Sequence, residues 1–199
     1  MPRSTQSVVF VDGVRTPFGK AGSAFAETRA DDLVVKVFRE LLRRNPTLPP
    51  ERIDDVAVAA TTQMGDQGMT IGRSAALLAG IPNSVPGYSV DRMCAGAMTA
   101  VTTLSSAIMA GAYDVALAGG VENMSRHPMG EGMDPNPRFL AERIVDTDAL
   151  IMGATAENLH DLLREMHREH GLTSVIATHN PKLAAACDRI MQLAPVMSP

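Results

Sequence analysis

Between Met93 and Tyr113 the chain carries no charged side chain, although charged residues make up 20% of the whole. A run of this length approaches the ~20 residues that cross a bilayer. Its content argues against a span. Thr99, Thr102, Thr103, Ser105 and Ser106 interrupt it, Gly96 and Gly111 lie near its ends, and much of the rest is alanine. The run reads as a helix buried on all sides of a water-soluble core. Such a core packs small side chains closely, which suits a chain with abundant Ala, Gly and Met and no tryptophan.

The flanking sequence alternates short apolar runs with helical periodicity. Val8–Asp12, closed by Gly13, predicts a buried strand, and the 15–20 segment with Pro17 and Gly19 predicts a loop. From Ala30 to Arg44, residues Leu33, Val34, Val37, Phe38, Leu41 and Leu42 share one helical face, and Asn45-Pro46 ends the helix. Val56–Ala60, Tyr88–Val90 and Asp114–Gly120 predict further strands, with a glycine-bearing loop at 65–70 and a short helix to Leu78 between the first two. This order predicts a layered α/β fold with a mixed, largely parallel sheet. From Glu122 to Asp148 prolines, glycines and polar residues predict a long excursion outside the core. A helix then spans Ala154–His170, capped by Gly171, with strands at Leu172–Ala177 and Arg189–Leu193 around a helix starting at Asn180-Pro181.

The balance of 18 basic against 22 acidic residues, net −4, argues against a nucleic-acid partner, and no basic cluster offsets it. Two cysteines, Cys94 and Cys187, make no disulfide framework, and the polar start at Met1–Ser7 carries no apolar leader. The expectation is a cytoplasmic protein without a membrane span.

Cys94 falls where a strand turns into the uncharged helix. A helix N-terminus offers unpaired N–H groups and a positive dipole end, which favour a thiolate. The same N–H groups can hold the oxyanion formed when a thioester carbonyl is attacked. Ala95, Gly96 and Ala97 keep the approach open. The competing reading is a small buried hydrophobe.

The segment Val90-Asp-Arg-Met-Cys-Ala-Gly-Ala-Met-Thr-Ala100 resembles the nucleophile segment of the thiolases, the acetyl-CoA C-acyltransferases. Three further segments agree in order. Val11-Asp-Gly-Val-Arg-Thr-Pro-Phe-Gly-Lys20 is similar to the family's opening strand and loop, Gly119-Gly-Val-Glu-Asn-Met124 to the strand end entering its loop domain, and Met152-Gly-Ala-Thr-Ala-Glu-Asn158 to a helix start within that domain. The resemblance implies that Cys94 becomes acylated, that its own N–H belongs to an oxyanion hole, and that Met152 lines the acyl pocket. It implies acyl-CoA and acetyl-CoA as partners, coenzyme A as substrate with no bound cofactor or metal, and a homo-oligomer. The family's Asn-Glu-Ala-Phe, Gly-His-Pro and Cys-x-Gly segments have no counterpart in these 199 residues. His127 precedes Pro128 but does not match the catalytic histidine, and Cys187, followed by Asp188-Arg189, does not match the second cysteine. Turnover is not expected.

Beyond His160-Asp161 the pattern changes. The segment from Leu162 to Asn180, continued by Leu183–Leu193 with Cys187-Asp-Arg-Ile190, resembles the end of an ABC-transporter ATPase domain. By that resemblance His179 matches the switch histidine that contacts a nucleotide γ-phosphate. No Gly-x-x-x-x-Gly-Lys-[Ser/Thr] loop accompanies it, so ATP hydrolysis is not expected. The expected organisation is a chimera: a thiolase-like core at 1–121, a partial loop domain at 122–160 and an ATPase-like segment at 161–199. Two other functions stay open, a non-catalytic protein with an exposed association surface and a nucleotide-sensing segment. Gly119-Gly120 reads as close packing rather than a phosphate site. Glu165, His167 and His170 read as a solvated helix face.

Overall fold

The computed structural model describes residues 6–145, 152–171, 184–185 and 187–191. The chain divides into two compact units, Met1–Met133 and Asp134–Pro199.

The first unit is built on a three-stranded parallel sheet. Strand β1 (Asp55–Ala59) lies between β2 (Gly87–Val90) and β3 (Ala116–Gly120). Val56 is opposite Gly87 and Leu117, and Ala59 is opposite Val90 and Gly120. All five β1 residues are buried, as a central strand covered on both faces requires. The strand's alternation sorts its side chains. Val56 and Val58 face a cluster with Val34, Val35 and Phe38 of helix α1 (Ala30–Arg44) and Ile71, Ala75 and Ala76 of helix α2 (Ile71–Ala79). Ala57 faces Ala100 and Leu104 of helix α3 (Gly96–Met109) on the other side. Branched side chains thus meet the two-helix layer, and alanines let α3 approach closely. Burying Phe38 alone is worth about 1.5–3 kcal/mol.

Glycines set the close approaches. A Cβ on Gly72 would overlap the Tyr88 carbonyl oxygen, so α2 sits directly on β2. The sheet's lower end is pinned by acidic side chains. Asp54 Oδ2 accepts the N–H groups of Asp114 and Val115 at 2.7 and 3.0 Å, and buried Asp55 accepts the Tyr113 hydroxyl at 2.9 Å.

Helix α1 occupies the expected residues, and β1, β2 and β3 each lie within a residue or two of their predicted positions. Two expectations for the first unit fail. Val8–Asp12 forms no strand: Val9, Phe10 and Val11 are exposed, Phe10 by 84%. The run has strand composition but no ladder partner among the described residues, and β3 is left as an edge. Helix α3 is not buried on all sides. Gly96, Ala100 and Leu104, each one turn apart, are buried, whereas Met98, Val101 and Met109 are exposed. Only the stripe facing the sheet is covered. Among the described residues, no helix is long and apolar enough to cross a membrane.

The second unit contains a short helix α4 (Arg138–Ala141) and α5 (Met152–His170), and neither buries a residue. Gly171, at φ +61°, ends α5, and its N–H donates to the His167 carbonyl at 3.0 Å. Residues 189–191 form no strand. The predicted strand at Leu172–Ala177, the helix start at Asn180-Pro181 and His179 lie outside the described residues.

Candidate active site

Strand β2 ends at Val90, whose carbonyl accepts the Ala60 N–H at 3.2 Å. The chain then reverses within three residues. Asp91 Oδ1 accepts the Met93 N–H at 3.0 Å, and Met93 adopts φ +48°. A left-handed conformation at a non-glycine residue is strained, at a cost of about 1–3 kcal/mol, and such strain gathers at functional turns. Met93–Ala95 form a single 3-10 turn that runs straight into α3. The turn is closed by Ala95 N–H to Arg92 O at 3.0 Å and by Gly96 N–H to Met93 O. The Cys94 N–H lies outside that ladder.

Cys94 is exposed. It stands at the C-terminal end of the parallel strands, where open α/β sheets place their ligand sites. The first turn of α3 carries no acidic residue, so nothing on the helix itself offsets its positive end. Two glycines fix the turn against the sheet. A Cβ on Gly96 would stand 2.8 Å from the Ala59 Cβ, and one on Gly120 would stand 2.9 Å from the Ala97 Cβ. Gly120 therefore serves packing, whereas a Cβ on Gly119 would meet nothing within 4 Å. The small residues at 95–97, read from the sequence as an open approach, also act as the contact that seats the helix. An exposed thiol with helix N–H groups behind it can attack an electrophilic carbonyl and shelter the resulting oxyanion.

Of the other predicted residues, Met152 is the first residue of α5 and is exposed. Among the described residues, no cluster of three His, Cys, Asp or Glu side chains could hold a metal ion. His167 Nε2 lies 3.6 Å from Asp188 Oδ2.

Sequence reasoning missed a buried polar assembly on the loops beyond β1 and β3. Gln67, fully buried, donates to Glu122 Oε1 at 2.7 Å and to the Thr62 carbonyl at 2.9 Å, and its Oε1 accepts the Asn123 N–H at 2.7 Å. Asn123 Nδ2 donates to the carbonyls of Phe25 and Thr28 at 3.0 and 2.8 Å. Beside it, Asp66 is bound by Arg126 Nε at 2.7 Å, by the Ala30 N–H at 3.2 Å and by His127 Nε2 at 2.5 Å. Burial raises the Asp66 carboxyl, but these donors outweigh it and hold the group below the usual carboxylate range. The start of the 122–148 excursion is thus part of the core's polar framework. All but one of these contacts join residues between 36 and 98 positions apart, so local spacing carried no signal.

A layered parallel sheet with helices on both faces, and an exposed cysteine at a strained strand-to-helix turn, define an α/β architecture. The chain belongs to the thiolase family: residues 8–184 match the model described as "Thiolase, N-terminal domain". That match continues past His160-Asp161. The chain is 42% identical over 183 residues to the 3-ketoacyl-CoA thiolase of Serratia proteamaculans, covering 90% of this chain and 47% of that one. It is 44% identical over 165 residues to that of Cronobacter sakazakii, covering 81% and 42%. Among solved structures, the acetyl-CoA acetyltransferase of Bacillus anthracis superposes with a TM-score of 0.65 at 31% identity, covering 81% of this chain and 43% of that one. The chain spans about half the length of the curated relatives it matches.

Proposed function

We propose that this chain supplies the acyl-accepting part of a thiolase-type acyltransferase, with Cys94 as nucleophile. The observation that carries this reading is the placement of an exposed Cys94 thiol in the 3-10 turn that leads into α3, at the C-terminal end of the parallel strands. In the proposed step the Cys94 thiolate attacks the thioester carbonyl of an acyl-CoA. The carbonyl oxygen gains charge beside the Cys94 N–H. The bond from carbon to the coenzyme A sulfur then breaks, leaving an S-acyl cysteine and a coenzyme A thiolate that takes a proton from water. Acetyl-CoA and longer acyl-CoAs are the substrate class, and coenzyme A enters as substrate with no resident cofactor; a role for Met152 in acyl binding rests on the resemblance alone. The names of the relatives, 3-ketoacyl-CoA thiolase and acetyl-CoA acetyltransferase, support this class.

Acylation without turnover is the expected behaviour. His127, the first unit's only histidine, has both ring nitrogens engaged by carboxylates, so it is not free to serve as base for the thiol. Incubation with acetyl-CoA followed by intact and peptide mass spectrometry tests the reading. One acetyl group on Cys94, absent from Cys94→Ser, supports it, and an unmodified Cys94 refutes it.

The organisation we propose keeps a core at 1–121, a partial loop domain at 122–160 and an ATPase-like segment at 161–199, in a cytoplasmic protein without a nucleic-acid partner. Sequencing the transcript across codons 158–165 tests the join. A nucleotide role for His179 rests on resemblance alone, and equilibrium dialysis without ATP uptake removes it. One observation favours a second, non-catalytic reading: the outer face of α3 and the 9–11 segment leave Met98, Val101 and Phe10 exposed. This surface supports self-association into a homo-oligomer. Size-exclusion chromatography showing a clean monomer with little dye binding would argue against it.

A further inference from the structure

We propose that His127 is a protonation-dependent latch for the loop that follows β3. The imidazole is buried, with Nε2 2.5 Å from Asp66 Oδ1 and Nδ1 2.8 Å from Glu131 Oε2. A neutral imidazole has a single N–H, so one of these two carboxylates would face a ring lone pair. Only the imidazolium donates to both. The loop is therefore closed when His127 carries its second proton and strained when it does not.

The charged groups around the ring decide which contact fails. Asp66 comes from the 65–67 turn and is 2% exposed at its side chain; its two other donors, Arg126 Nε and the Ala30 N–H, both reach Oδ2, so its buried Oδ1 depends on the ring. Glu131 is on the loop itself, with 36% of its side chain exposed. Glu27 and Arg29, from the segment before α1, border the same open pocket of about 600 Å³, which admits water to the ring. Arg29 is itself paired with Asp31. The neutral ring therefore keeps its N–H on Nε2, facing the buried Asp66 Oδ1, and loss of the Nδ1 proton leaves Glu131 without its ring donor. The segment from Pro128 to Met133 then lifts, while Arg126 keeps the root of the loop on Asp66. The strand end from which this loop departs is the one that seats α3, since the Val121 N–H donates to the Ala59 carbonyl at 2.9 Å and Ala59 touches Gly96. Burial works against the charge on His127, but the hydrogen bonds to Asp66 and Glu131 raise it above its ordinary value.

Hydrogen exchange of the whole chain, corrected for intrinsic rates, tests the latch. Between about pH 6 and about pH 9 the amides of 129–133 should exchange roughly tenfold faster, while the His127 N–H, bonded to the Asn123 carbonyl, should not change. His127→Gln should abolish the step, and Glu131→Gln should move it to lower pH. A flat profile in the native chain, or the same step in His127→Gln, overturns the proposal. Should His127→Gln fail to fold, Glu131→Gln decides: a step at the native pH overturns it.

Discussion

Gly120 and Ala97 meet with no room for another carbon: a Cβ on Gly120 would stand 2.9 Å from the Ala97 Cβ and 3.4 Å from the Ala59 carbonyl oxygen. This contact presses the start of α3 onto the ends of β1 and β3, and so sets where the Cys94 thiol emerges.

Gly120→Ala should therefore act on both stability and site. Overpacking at a helix–sheet contact costs about 1–3 kcal/mol. Urea unfolding should show a loss of that size, and S-acetylation of Cys94 should slow in the same variant. Gly72→Ala is predicted to be worse, because its methyl would meet the Tyr88 carbonyl on the backbone, which cannot rotate away. Unchanged unfolding midpoints in both would contradict the packing account.

Met93 holds φ +48° immediately before Cys94. Glycine reaches this region freely, so Met93→Gly should leave stability unchanged or raise it by up to about 1 kcal/mol. Met93→Val should lower it by about 2 kcal/mol, since a β-branched side chain resists a positive φ. Thermal unfolding of the two variants against the parent provides the comparison.

Much of this architecture was legible in the sequence because its causes are local. Leu33, Val34 and Phe38 recur at helical spacing, Asn45-Pro46 stops the helix, and the apolar run at Val56 can only be a buried strand. The passage from strand to helix around Cys94 could be read because a strand, a polar pair and an uncharged helix follow in order. What stayed hidden depends on partners distant in sequence. Val8–Val11 has strand composition, yet a strand exists only where a neighbour completes the ladder. The uncharged α3 promised burial, but how many faces are covered is set by the layers around it. His127, set aside as a loop residue, is joined to Asp66, sixty-one residues away, and no spacing rule reaches that far.

Asp66 gives the acid side of the stability profile. Its carboxyl is held below the ordinary value of 3.8 by His127, the Ala30 N–H and Arg126, against the opposing effect of burial. A depressed carboxylate contributes stability that is present above its unfolded value and lost as pH falls through the folded one. Acid unfolding of the parent should include this loss. Asp66→Asn should flatten that part of the curve and cost about 3 kcal/mol near neutrality, because the buried partners lose their anion. Urea titrations at several pH values measure both effects, and a variant as stable as the parent would contradict them.

The central claim is that the folded turn at Met93–Ala95 activates the Cys94 thiol. Iodoacetamide alkylation of Cys94, followed by peptide mass spectrometry at one fixed pH, compares the native chain with the same chain in urea. The account predicts alkylation roughly tenfold faster in the native chain, falling toward the unfolded rate once the fold is lost. A native Cys94 that reacts no faster than the unfolded thiol would contradict it.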